Sequence, residues 1–139
     1  MENTNDVLKG LLNVCVEACN KCIKVCKTCK LQAAAQDHDP LHCDQCLESI
    51  DSCVEACKNV NSACRDHLKV CSDPLCIESV VECIKVNEEC ISVAQHAKNL
   101  CTESFDEQCG LASHKSNRAC DNCIQACKKV LEHICSKAT

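Results

Sequence analysis

Residues 15–30 read CVEACNKCIKVCKTCK, placing Cys15, Cys19, Cys22, Cys26 and Cys29 at alternating intervals of four and three residues. That alternation follows one face of an α-helix, which comes round every 3.6 residues. Residues on such a stripe are normally aliphatic, whereas a thiol is a metal ligand or a disulfide partner. The stretch therefore predicts a long helix whose buried stripe carries chemistry as well as packing.

The rest of the chain repeats the pattern. Cysteine supplies 20 of 139 residues, against one Phe, no Trp, no Tyr and the single Met1. A chain of this length fits one domain, residues 1–139. Its interior must be built from Leu, Ile, Val, Ala and cysteine, which packs as a small hydrophobe when buried. A formal charge of −5, with no basic run and no aromatic interleaving, argues against nucleic acid as a partner. The N-terminal MENTNDVLKGLLNV has acidic and amide residues where a signal peptide is basic. It also lacks an apolar run able to enter a bilayer, so the expectation is a cytoplasmic protein that does not contact membrane. Under reducing conditions such a cysteine density points to metal binding or redox work before a disulfide framework.

Asp39-Pro40 and Asp73-Pro74 each fit an N-cap aspartate with proline at the first helical position. They divide the chain into helices expected at about Asn5–Gln36, Pro40–Cys71 and Pro74–Thr102. A fourth is expected at about Ser116–Ser136, after a looser segment containing Phe105 and Gly110. The first seam reads Leu8, Leu12, Cys15, Cys19, Cys22, Cys26, Cys29, Ala33, and the second Cys43, Cys46, Ile50, Cys53, Cys57, Val60, Cys64, His67, Cys71. In the third, Cys76, Cys83 and Cys90 lie a heptad apart, interleaved with Val86 and Val93, and Cys101 follows eleven residues later. The fourth carries Cys120, Cys123 and Cys127, then Val130 and Ile134, with Cys135 beside them. Cys109 shares the face of Cys120 only if that helix begins early. Four helices with short connections predict an all-α, antiparallel up-down-up-down bundle with a cysteine-lined core. Ile77, Ile84 and Ile91 form a second stripe, which fits either packing within the monomer or a subunit interface.

Thiols are too small to fill a bundle core as well as Leu or Ile, so filler alone is a poor account of so many. Cysteines along one helix face project side by side, which disfavours bridging them to one another. A redox CxxC normally opens a helix, whereas these pairs lie in mid-helix ladders. Cys19, Cys22, Cys26 and Cys29 run C-x2-C-x3-C-x2-C and are followed by Lys30, unlike the bacterial iron-sulfur run C-x2-C-x2-C-x3-C-P. Cys26, Cys29, Cys43 and Cys46 read C-x2-C-x13-C-x2-C, near structural zinc spacing, but account for four thiols only. Charge separates the metals. Zn(II) on four thiolates keeps two negative charges per site, which stacked sites in a dry core cannot tolerate. Cu(I) with one thiolate each is neutral, and soft thiolate selects it. Its low coordination number can be met by sulfurs at i+3 and i+4 on one face, about 5–6 Å apart at Cβ.

The repeated CxxxC and CxxC units on four helices, with the closing run CGLASHKSNRACDNCIQAC at 109–127, resemble the bacterial cysteine-rich four-helix-bundle copper storage proteins. The resemblance extends from Cys15 to Cys135. It implies a non-enzymatic cytosolic protein whose core cysteines hold many Cu(I) ions, usually as a homotetramer. The departure is in the third and fourth helices, where aliphatic residues interrupt the seam and imply fewer sites.

Antiparallel order gathers His38, His42 and His114 at one end with Cys29, Cys43, Cys101, Cys109 and Cys120. That end is the expected mouth, where copper arrives from a small thiol or a copper chaperone; the resemblance also places a histidine near His114. The opposite end holds Leu8 and Leu12, expected to help close it, with His67, Cys71, Cys76 and Cys135. His67 lies on the seam as a candidate ligand, while His96 and His133 lie off the seams and are expected in solvent. The alternatives to copper storage are a zinc or general soft-metal buffer, and a thiol-redox or iron-sulfur protein.

Overall fold

The computed structural model describes the backbone of residues 4–35, 40–103 and 107–137, and the side chains of residues 6–25, 45, 47–99 and 114–134. Four α-helices follow in order: α1 Thr4–Ala35, α2 Pro40–Val70, α3 Pro74–Glu103 and α4 Glu107–Lys137. No strand occurs among the described residues. Each helix packs on its chain neighbours and α1 closes the ring on α4.

The Asp-Pro reading holds where it can be inspected. Asp73 Oδ1 accepts the Leu75 N–H at 3.0 Å with Pro74 opening α3, an N-cap worth about 1 kcal/mol. Pro40 likewise opens α2, while Asp39 lies outside the described residues. One boundary is corrected. α4 begins at Glu107 rather than near Ser116, so Gly110 lies within the helix, while Phe105 is outside the described residues. A single glycine costs a helix interior only about 1 kcal/mol, which Glu107, Gln108, Leu111 and Ala112 offset as good helix formers.

The antiparallel arrangement can be followed residue by residue. As the α1 partner steps back from Cys19 to Cys15, its α2 partner advances from Cys53 to Cys57. As α3 steps back from Cys90 to Cys83, α4 advances from Cys120 to Cys127. On the surface, Arg65 meets Glu88 and Lys98 meets Asp51, both at 2.6 Å, in the same crossed order between α2 and α3.

The buried stripe is the one the cysteine rhythm predicts on α1, α2 and α4. Leu8, Leu12, Cys15, Cys19 and Cys22 are buried on α1; Ile50, Cys53, Cys57, Val60, Cys64 and His67 on α2; Cys120, Cys123, Cys127, Val130 and Ile134 on α4. On α3 the residues interleaved with cysteine are Val80, Asn87, Ala94 and Ala97, while Val86 and Val93 are half-buried on the flank. Continuing four residues from each cysteine, instead of three, keeps the stripe on the bundle axis. Ile84 and Ile91 are half-buried against the core, in line with packing inside the monomer.

Candidate metal centre

Twelve of the thirteen described cysteines are buried, and Cys71 is half-buried. The helix register stacks them in levels along the axis. At one level each helix contributes one thiol, Cys19, Cys53, Cys90 and Cys120, whose sulfurs all lie within 4.8 Å of one another. Within it Cys19 is 3.5 Å from Cys53, Cys53 is 3.6 Å from Cys120, and Cys90 is 3.8 Å from Cys120. The neighbouring group, Cys15, Cys19, Cys57 and Cys123, meets the same limit and shares Cys19 with the first. Cys15, Cys57 and Cys123 form a triangle with sides of 3.7 Å.

The α3 corner of that second level is Asn87, fully buried. Its Oδ1 accepts the Cys123 thiol at 2.7 Å, and its Nδ2 donates to Cys83 Sγ at 3.7 Å. A carboxamide can make both bonds at once, so it bridges the sulfurs of Cys123 and Cys83. Sequence reasoning passed over this residue, although it lies four after Cys83 and three before Cys90 on the cysteine stripe.

Toward the α2–α3 connection the thiols thin out. The register places Cys83 and Cys127, 3.9 Å apart, level with Leu12 and Val60, and then Cys64 level with Leu8, Val80 and Val130. Beyond them is a third group, His67, Cys71 and Cys76, whose ligand atoms again lie within 4.8 Å of one another. His67 Nε2 is 3.4 Å from Cys76 Sγ.

Without metal the core sulfurs share protons along S–H···S contacts. Cys19 is pushed up, led by its hydrogen bond with Cys120 and reinforced by burial; Cys64 is pushed up by its bond with Cys83 and then by burial. Their acceptor partners go the other way. Cys53 is held down chiefly by Cys120, and Cys15 chiefly by Cys123. Cys90 is pushed down to about 2, first by Cys120, and Cys83 to about 5, first by Cys127, with burial opposing. A soft cation entering such a network replaces those protons as the partner of each sulfur.

Comparison with known protein families, with curated proteins and with solved structures finds no match for this chain. What the chain can do is therefore read from its own geometry, which is that of buried cysteine groups able to bind soft metal ions.

Of the expected ligands, Cys15, Cys19, Cys53, Cys57, Cys90, Cys120 and Cys123 are brought together in the two four-thiol groups, and His67, Cys71 and Cys76 in the third. Cys22, Cys64, Cys83 and Cys127 are buried on the same axis. The shortest sulfur pairs run between helices instead of along one face, because antiparallel seams bring sulfurs closer than successive turns do. The side chains of Cys26, Cys29, Cys43, Cys46, Cys101, Cys109, Cys135, His38 and His42 lie outside the described residues, and with them most of the expected mouth. His114 is exposed on α4, His96 is exposed, and His133 is half-buried where solvent was expected. Among the described residues, no helix is long and apolar enough to cross a membrane.

Proposed function

We propose that this chain stores and buffers Cu(I) in the cytoplasm, on the thiolates of its bundle core, without catalysing a reaction. The observation that carries the reading is the pair of four-thiol groups sharing Cys19 in a dry interior. Seven thiolates lie there within a few ångströms. Two divalent ions neutralise four of them and leave three buried charges, whereas a monovalent ion on each leaves none. Thiolate softness favours the same ion, and the resemblance to copper storage proteins is in line with it.

Copper is cargo in this scheme. An ion held by Cys15 and Cys57 can gain Cys19 before losing a first ligand, and then continue to Cys53 and Cys120, so transfer along the axis needs no free ion. Each step trades one thiolate for another and releases a proton only when a new thiol is recruited.

Zinc buffering is the second reading, and one observation favours it. The edge of a tetrahedron of sulfurs around Zn(II), with bonds of about 2.3 Å, is about 3.8 Å, and the core pairs span 3.5–3.9 Å. Anaerobic titration of the reduced protein separates the two. Copper storage expects saturation with Cu(I) near one ion per thiol, on the order of 20 per chain. Saturation at about five ions with either metal, four thiolates to each, would overturn it.

A further inference from the structure

The end of the bundle expected to be closed by leucines gathers a ligand cluster of another kind. His67 is in the last turn of α2, and the Cys71 N–H donates to the His67 carbonyl at 2.9 Å, so the helical turn continues to Cys71 and sets both side chains on one face. Cys76 is in the first turn of α3, fixed by the Asp73 cap. The sequence H-x3-C-x4-C thus folds into a three-ligand cluster through two helix ends and a three-residue connection.

We propose that His67, Cys71 and Cys76 form a separate tetrahedral site for one Zn(II), whose fourth position faces the adjoining cavity. Three observations carry this. First, a sulfur and a nitrogen on tetrahedral Zn(II), bonded at about 2.3 and 2.0–2.1 Å, lie about 3.5 Å apart, and His67 Nε2 to Cys76 Sγ is 3.4 Å. Second, two thiolates and a neutral imidazole balance a divalent ion, whereas Cu(I) there would leave a negative charge beside Cys76 and His67, only 1% and 6% exposed. The charge rule that favours Cu(I) among the shared thiols therefore favours Zn(II) here. Third, a cavity of about 220 Å³ adjoins the three ligands and is lined also by Val70, Ser72, Asp73 and Ile134, with room for a water as fourth ligand.

The site is set apart from the core. Leu8, Val80 and Val130 occupy the intervening level, with Cys64 as its one thiol. The ion would fasten the end of α2 to the start of α3, and it involves no ligand of the two four-thiol groups, so the inference stands whether or not the core carries copper.

The test uses the full-length reduced chain, Zn(II) alone and the ring nitrogens of His67 followed by NMR. Zn(II) should move the His67 Nε2 resonance to a metal-bound position. Cys71→Ser/Cys76→Ser should abolish that shift and lower the Zn(II) count at saturation by one. Because Cys76 is buried, Cys71→Ser alone serves as the second variant; helicity intact, it should weaken zinc at His67 by at least about tenfold. Cys19→Ser, which breaks both core groups, should leave the His67 shift in place. A His67 ring unmoved at zinc saturation, an unchanged count in the double variant, or loss of the shift in Cys19→Ser would each overturn the proposal.

Discussion

The middle of the bundle and its α2–α3 end are built on the same helical stripe yet present different chemistry. In the middle, four helices each supply a thiol at one level and a shared Cys19 ties that level to the next. At the end, α2, α3 and their connection supply an imidazole and two thiols beside a cavity, behind a level of Leu8, Val80 and Val130. Sharing makes the middle a connected thiol column in which bound metal would have to settle charge collectively. Isolation makes the end a three-ligand cluster whose charge one divalent ion would settle. On the charge argument proposed above, the occupant would follow from how thiols are connected, not from how many the chain carries.

The comparison is broken most severely at Cys19. Cys19→Ser should remove more Cu(I) capacity than any other single core substitution, on the order of 2 ions, because both four-thiol groups lose a ligand. Copper counting after anaerobic loading checks this, and a loss no greater than that of Cys22→Ser would show that the two groups are not linked.

A second difference appears in alkali. Cys19, Cys64 and Cys123 are pushed up, led by hydrogen bonds with Cys120, Cys83 and Cys127, so they stay protonated where unfolded thiols ionise. A group raised in the fold stabilises it fully below the ordinary thiol value and loses that contribution as pH rises beyond it. Cys83 and Cys90, pushed down to about 5 and about 2, are ionised in both states by then and add no slope. The metal-free protein should therefore lose about 1.4 kcal/mol per pH unit for each raised thiol above roughly pH 9. Copper-loaded protein, its sulfurs already deprotonated, should not; denaturation followed at several alkaline pH values reads the difference.

Asn87 offers a sharper test, since it is the position at which the second level departs from the first. Asn87→Cys completes a fourth thiol and should raise Cu(I) capacity by about one ion. Asn87→Ala should destabilise the metal-free protein by about 1–3 kcal/mol, because Cys123 loses its acceptor in a dry core. The smallest effect belongs to the surface, where Lys98→Ala should cost less than about 1 kcal/mol and leave metal binding unchanged.

Much of this arrangement is legible in the sequence alone. The four-three spacing from Cys15 to Cys29 sets the axis of α1, and its counterparts on α2 and α4 place Cys53, Cys57, Cys120 and Cys123 inward for the same reason. What spacing along one helix cannot supply is register between helices. It could not say that Cys19 is shared, that Asn87 stands at a thiol's corner, or that the α2–α3 turn folds His67 against Cys76. Gly110 reads as a break before a helix starting near Ser116, yet α4 begins at Glu107 and carries Gly110 within it, while Phe105 lies outside the described residues. On α3 three-residue steps from Cys83 and Cys90 point to Val86 and Val93, whereas the buried seam runs through Asn87, Ala94 and Ala97.

The sulfur contacts carry one more consequence. Pairs such as Cys19 with Cys53, at 3.5 Å, can border a tetrahedral ion without moving. A two-coordinate ion lying in line between them needs two bonds end to end, about 4.6 Å if each is as long as zinc to sulfur. Copper filling would then push the helices outward or turn the side chains, whereas zinc filling would not. The girth of the bundle and the set of its cysteine side chains together become a gauge, one or the other changing with copper and both holding still with zinc.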